Sequence, residues 1–213
     1  MRITLFGAAG KMGRRITKEA VNRGHKLTAV VRDYNDMVVE GSQVTVVQGD
    51  ATNLEDVAHY CASAEVVIAA TKPPDGSESQ LLESTSTLLE SLANTPIRLI
   101  ISGGAASLQI PGKPNSLLLH DNRYMSESAI AIGKACLDQL NLCRASKNVH
   151  WTYLSPSALL VPGERTGNFR LGADELLIDA SGRSSISMED LAVALLDEAE
   201  QGQFVQRRFT AGY

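Results

Sequence analysis

A chain of 213 residues with 44% hydrophobic and 21% charged side chains has ordinary globular composition, not that of a disordered chain. A length of this order buries about 70% of the unfolded surface, and the net charge of −4 gives no polycation footprint, which argues against nucleic acid as a partner. Three cysteines (Cys61, Cys136 and Cys143), odd in number and without C-x-x-C spacing, argue against a disulfide framework or a zinc site.

In chain order, Ile3–Phe6 is a short apolar run followed by Gly7, Gly10 and Gly13. The spacing G-x-x-G-x-x-G is one residue wider than the common dinucleotide fingerprint. Such a turn, between a buried strand and a helix, brings backbone N–H groups up to a pyrophosphate. Gly7 would allow the tight turn, Gly10 would let backbone approach the phosphates, and Gly13 would let the first helix pack closely on the sheet. That helix is expected over Lys11–Arg23, with Met12, Ile16 and Ala20 on one face and Gly24 as a stop.

Leu27–Val31, Val44–Val47 and Val66–Ala70 read as the next three strands. A helix near Glu78–Ala93 precedes a strand over Ile97–Ile101. One long helical segment then spans about Leu118–Ser146, with Ile132, Cys136, Leu140 and Cys143 down one side, and Trp151–Leu154 is a sixth strand. Pro162–Gly172 is glycine-rich and charged, and Glu175–Ile178 reads as a short strand. Ser187 caps a last helix, with Asp190 in capping-box position and Leu191 and Leu195 facing inward.

Near-continuous apolar strands alternating with helices predict a parallel sheet covered on both faces. The expected class is α/β: a doubly wound parallel sheet, the NAD(P)-binding Rossmann fold, with ligands at the carboxyl ends of the strands. Residues 1–213 are expected to be one domain, about 156–213 forming a small C-terminal substrate-side part. No apolar run approaches the roughly 20 residues of a membrane span. The first residues already form a strand rather than a signal peptide, so a cytoplasmic protein, monomer or homodimer, is expected.

The residues at the strand ends carry the chemistry. At the end of the second strand a carboxylate favours NAD through the ribose hydroxyls, whereas an arginine answers a 2′-phosphate. Arg32 stands there and favours NADP; the alternative leaves Arg32 solvated and gives the ribose to Asp33. Arg14 and Arg15 open the first helix, an unfavourable place for cations unless an anion lies near. Asp50, beside Ala51, either accepts from the adenine amino group or is an ordinary turn aspartate. Ala70 and Thr71 are small enough to let backbone pass close to the cofactor ribose. Ser102, with Gly103 and Gly104, lies beside the expected nicotinamide position; it either hydrogen-bonds a substrate or the carboxamide, as the one candidate catalytic residue, or merely caps a turn.

The Tyr-x-x-x-Lys pair of short-chain dehydrogenases is missing: Ser128 follows Tyr124 by four residues, and Ile130 precedes Lys134 by four. Carbonyl reduction by such a couple is therefore disfavoured. His25, His59, His120 and His150 lack metal-ligand spacing, and no metal motif is present; only His120 lies in a region facing the nicotinamide.

With these residues in view, the chain resembles the atypical short-chain dehydrogenase/reductase group of NAD(P)H-flavin reductases. These are related to biliverdin-IXβ/flavin reductase and, more distantly, to NmrA-like NADP-sensing proteins. The resemblance covers almost the whole chain. It rests on residues 6–13, 31–33, 49–51, 103–105, 111–112, 151–156, 162–167 and 186–192; the Ser155-Pro156 and Pro162–Gly167 pieces are more specific than the glycine turn. It implies that Gly7, Gly10, Lys11, Met12 and Gly13 cradle the pyrophosphate, with Ala9 where relatives often carry threonine. It further implies that Arg32 meets the 2′-phosphate, Asp50 and Ala51 border the adenine, Thr71 the ribose, and Ser102, Ser155 and Pro156 the nicotinamide end.

Hydride transfer to a flavin needs little acid–base help, so a site without a Tyr/Lys couple suits it. The expected function is an NADPH-dependent reductase of a flavin, quinone or similar conjugated small-molecule acceptor, with flavin as substrate. A non-catalytic NADP(H) redox sensor is the alternative, and a nucleotide-sugar isomerase or dehydratase ranks last. Gly112–Tyr124 and Pro162–Phe169 follow strand ends and should flank the nicotinamide. His120, Tyr124 and Arg165 are the candidates for touching substrate, although Arg165 could instead pair with a nearby acid and hold its turn.

Overall fold

The computed structural model describes residues 1–36, 42–113 and 115–213. From the N-terminus, β1 (Arg2–Phe6) passes through the glycine turn into α1 (Lys11–Asn22), followed by β2 (Lys26–Val31) and β3 (Val44–Gln48). Then come α2 (Leu54–Cys61), β4 (Val66–Ala69), α3 (Ser79–Ser91) and β5 (Arg98–Ser102). A long loop leads to α4 (Ile130–Ala145) and β6 (His150–Pro156). The remainder forms β7 (Leu159–Val161), β8 (Arg170–Gly172), β9 (Ser185–Ser187), α5 (Met188–Gln201) and β10 (Arg207–Gly212).

The main sheet runs β3-β2-β1-β4-β5-β6-β10-β8, all parallel except β8, which is antiparallel to β10. The chain starts at β1 in the middle, winds outward to β3, then returns to β4 on the other side of β1. That reversal is the switch point at which open α/β sheets bind ligands. In register, Phe6 stands beside both Val30 and Ala69, so the ends of β1, β2 and β4 converge there.

Alternation along the strands builds the two layers. Ile3 and Leu5 point to one face and pack with Ile16 and Ala20 of α1 and Leu191 and Leu195 of α5. Phe6, Val67, Leu99, Trp151 and Tyr153 point to the other, against Val57, Leu88 and Leu140 of α2, α3 and α4. Burial on both faces is why these strands read as unbroken apolar runs. The doubly wound expectation holds.

Several local expectations do not. The long helix expected over about 118–146 starts only at Ile130, after short 3-10 turns at Leu118–His120 and Glu127–Ala129. Between them the Asp121 carboxylate accepts from the backbone N–H of Arg123 (3.1 Å), a local alternative to helical bonding. Helix α2 was not expected. It buries only Val57 and Cys61, too few positions to show a period, and it starts because the Asn53 side chain accepts from Glu55 and Asp56 N–H. The strand expected at Glu175–Ile178 is reduced to a single bridge between Glu175 and Gln109. It belongs with a small apolar cluster of Leu108, Ile110, Leu118 and Leu176 that joins the loop after β5 to the segment before β9.

Candidate nucleotide-binding site

The glycine turn is held by contacts between backbone segments. Gly7 has φ +81°, and a Cβ there would lie 2.5 Å from the Ala70 carbonyl oxygen. A Cβ on Gly13 would lie 2.1 Å from the Gly7 oxygen. These two glycines let the turn, the start of α1 and the end of β4 close on one another. Gly10 is different: it is exposed, and a Cβ there would meet only Gly7 O at 3.3 Å. As the N-cap of α1 it offers no side chain to the helix's first N–H groups, and the first turn holds no acidic residue. The positive end of α1 is therefore open, the arrangement that receives a phosphate. Lys11 is exposed in this turn, Met12 packs on the core beneath it, and Ala9 lends its carbonyl to Arg14 Nε (2.9 Å). The turn thus fits a nucleotide pyrophosphate.

At the end of β2, Arg32 is exposed and its guanidinium has no partner among the described residues. Asp33 is committed locally: its Oδ1 accepts from both the backbone N–H and the side-chain amide of Asn35, each at 2.9 Å. Beyond β3, Asp50 Oδ1 accepts from the N–H and hydroxyl of Thr52 at 2.8 and 2.9 Å. It is thus at least a turn-holding aspartate, and Ala51 beside it is buried. At the end of β4, Ala70 and Thr71 are half-buried against the glycine turn, with Ala70 N–H on Phe6 O (3.0 Å).

The ends of β5 and β6 are shaped by a tyrosine that the sequence reading passed over. Tyr153 is fully buried, and its ring lies directly under Gly103, where a Cβ would come within 2.0 Å of Cζ. Its hydroxyl accepts from Gly104 N–H (3.2 Å) and donates toward Cys136 O (2.9 Å). Its hydroxyl is thus held inside the protein and supports Ser102–Gly104 from below, and burial pushes its pKa up. Ser102 itself is half-buried. Ser155, expected at the nicotinamide end, is fully buried. Its hydroxyl has no partner among the described residues; nor has that of Thr210, its register neighbour on β10. Pro156 closes β6 beside it, also buried.

Of the substrate candidates, His120 is exposed at the end of a 3-10 turn. Tyr124 packs against the small apolar cluster and donates its hydroxyl to Gly182 O (2.9 Å). Arg165 takes the alternative of pairing with an acid. Its guanidinium makes a two-pronged bond to Glu19 of α1, both arms at 2.7 Å, instead of remaining available beside the nicotinamide. Glu19 is 4% exposed, and the pairing satisfies a carboxylate that burial would otherwise penalise. The Arg165 hydrogen bonds, against the opposing effect of burial and helped by Arg23, hold its pKa down to about 2.

Arg15 likewise has its anion within the protein: Nε donates to Glu189 Oε1 at 2.6 Å. Glu189 Oε2 accepts from Gly163 N–H (2.8 Å), and Ser187 Oγ donates to Glu164 O (2.7 Å). The fully buried Asp190 accepts from Thr166 and Gly167 N–H and from the Tyr213 hydroxyl, each at 2.8 Å. Ser187 does cap α5, accepting from Asp190 N–H (2.9 Å). The return bond of a capping box is not made, because the Asp190 carboxylate is committed to the loop. The two sequence segments 162–167 and 186–192 are thus each other's partners. Only their joint appearance in the sequence hinted at this.

A doubly wound sheet whose switch point opens on an uncapped, glycine-lined helix start is the architecture of the NAD(P)-binding Rossmann class. Comparison with known proteins agrees: residues 7–201 match the model of the NAD(P)H-binding family, and the chain belongs to it. The uncharacterized protein YwnB of Bacillus subtilis is 33% identical over 214 residues, spanning 99% of this chain and 97% of that one. A Bacteroides thetaiotaomicron structure described as a "putative epimerase" is 36% identical with a TM-score of 0.90, covering 100% of this chain and 96% of that one. A Streptococcus pneumoniae structure described as a "putative NADH-flavin reductase" is 29% identical with a TM-score of 0.89, covering 100% and 99%. Among the described residues no helix is long and apolar enough to cross a membrane, and no cluster of His, Cys, Asp and Glu could hold a metal.

Proposed function

We propose that this protein binds NADPH in the crevice outside β1 and β4 and reduces a flavin, quinone or similar conjugated acceptor. The observation that carries the cofactor choice is the pair at the end of β2: an exposed Arg32 whose guanidinium has no partner among the described residues, beside an Asp33 whose Oδ1 already accepts from Asn35. A planar guanidinium can grip a 2′-phosphate with two bonds, whereas the carboxylate that the ribose hydroxyls of NAD would use already has one of its two oxygens on Asn35. The reductase reading draws further support from the Streptococcus pneumoniae relative described in those terms.

The nicotinamide, when bound, supplies the hydride. The chain's own residues orient and enclose. Backbone N–H groups at the start of α1 hold the pyrophosphate, Arg32 holds the 2′-phosphate, and the Ser102 hydroxyl is placed to orient the carboxamide. Gly103 and Gly104, whose Cβ positions are taken up by Tyr153 and Cys136, hold their backbone close on the sheet as the floor against which a planar acceptor lies. With Tyr153 sealed in the interior, the acceptor takes its proton from solvent and spreads the transferred charge over its conjugated system. Catalysis is then mostly positioning.

Fluorescence titration with NADPH and NADH, with wild type and Arg32→Ala, tests the cofactor assignment. Loss of the charged bidentate contact should weaken NADPH about 10- to 100-fold and NADH less than about twofold. Equal affinity of the wild type for both nucleotides would remove the assignment. NADPH oxidation with FMN, riboflavin and a quinone tests the reaction; tight binding without turnover on any of them would select a redox sensor instead.

A further inference from the structure

We infer that Gln48, the last residue of β3, is a positioning residue for the 2′-phosphate end of the site, acting through Arg32; this rests on the NADPH reading above. Backbone pairing between β2 and β3 ends at Val31 and Gln48, where Gly49 N–H donates to Val31 O (2.9 Å). One residue further, where the chain leaves the sheet, Gln48 Nε2 donates to the Arg32 carbonyl at 3.0 Å. A side-chain amide therefore takes over at the point where strand pairing stops.

Gln48 is itself anchored from α2. The Tyr60 hydroxyl donates to its carbonyl at 2.7 Å, and the Tyr60 ring fills the space beside Gly49, where a Cβ would meet Cε2 at 2.7 Å. On the other side of Arg32, the Asp33 carboxylate closes a local turn onto Asn35. The Arg32 backbone is fixed from both directions, and only its exposed side chain keeps its freedom. Less order then has to be imposed when the guanidinium closes on a phosphate, so the clamp favours 2′-phosphorylated adenine nucleotides specifically. A mere strand-end cap would contribute to folding and to both nucleotides alike.

The two readings part on discrimination. Wild type, Gln48→Ala, Arg32→Ala and the double variant are titrated with NADPH, NADH, adenosine 2′,5′-bisphosphate and AMP, with unfolding midpoints measured alongside. Gln48→Ala should weaken NADPH and the bisphosphate about three- to tenfold, the size of one exposed hydrogen bond, and leave NADH and AMP within about twofold. The double variant should bind NADPH no more weakly than Arg32→Ala, because the clamp acts only through that arginine. Should Gln48→Ala fold poorly, Gln48→Met keeps the length without a donor or a charge, and should show the same selective loss. Equal losses for NADPH and NADH, or no loss in Gln48→Ala, would overturn the inference while leaving the NADPH reading intact. A wild type without a preference for NADPH, or an Arg32→Ala protein that keeps that preference, would overturn that reading as well.

Discussion

The glycine turn at Gly7–Gly13 and the loop at Pro162–Gly167 both lie against α1, and both stand out in the sequence, yet they treat their backbone donors in opposite ways. In the loop, Gly163, Thr166 and Gly167 each give their N–H to a carboxylate of α5. In the turn, no side chain among the described residues caps the start of α1, and its first turn carries no acidic residue. Buried polar groups must be paired, so the loop's pairing explains why its residue types recur together without any ligand. Donors left open at a helix start are, by contrast, an invitation to an anion. A conspicuous motif is thus not always a binding motif; what its polar groups already hold decides.

The largest expected effect breaks the loop side of this contrast. Asp190→Ala removes the carboxylate from two backbone N–H groups and the Tyr213 hydroxyl in a fully buried setting. Leaving such donors unpaired should cost about 3 kcal/mol or more of stability in urea denaturation. NADPH affinity of the folded fraction should stay within about threefold of wild type. A variant that keeps its stability but loses NADPH would mean that the loop, not the turn, carries the nucleotide.

The contrast also marks what could be read from the sequence. The strands up to β6 and the glycine turn were legible because fully buried parallel strands give unbroken β-branched runs, and because Gly7 and Gly13 are demanded by backbone contacts. Beyond β6 the strands β7, β8 and β9 have three residues each, too few to show a period. Arg32 could be placed from its position after β2, since strand ends are fixed by the fold. Arg165 could not, because its partner Glu19 is remote in sequence and lies on a helix face that reads as ordinary surface charge. Tyr153 was hidden differently: it looks like one more apolar strand residue, and only the glycines above it reveal its task.

A smaller effect tests the Arg165 pairing through pH. Glu19, held at about 2 chiefly by its hydrogen bonds to Arg165, has the ordinary value of 4.5 in the unfolded chain. A lowered folded pKa contributes stability that is present above pH 4.5 and is lost as pH falls toward 2. Arg165 is 52% exposed, so screening reduces the effect, and Arg165→Ala should cost about 1–2 kcal/mol at pH 7. The gap between the two proteins should close as pH falls from 4.5 toward 2, measured by denaturation at several pH values. If Arg165 instead meets the acceptor, the variant would keep its stability at pH 7 and raise the acceptor KM.

The smallest expected effect concerns the side of the sheet behind Gly103 and Gly104, which follow β5. Burial pushes Cys136 up to about 11 and Cys61 and Cys143 up to about 12. At pH 8 each thiol is then ionised in no more than about one molecule in a thousand, and alkylation requires the thiolate. Iodoacetamide should leave the native protein essentially unlabelled over a period in which the denatured chain takes three labels, read by intact mass. Cys136 is the informative site, since a Cβ on Gly104 would lie 2.7 Å from its sulfur. Rapid native labelling there would require Gly104 to lift away from α4. The floor beside Ser102 would then be a moving part, and positioning by a rigid Gly103–Gly104 segment would no longer account for the reaction.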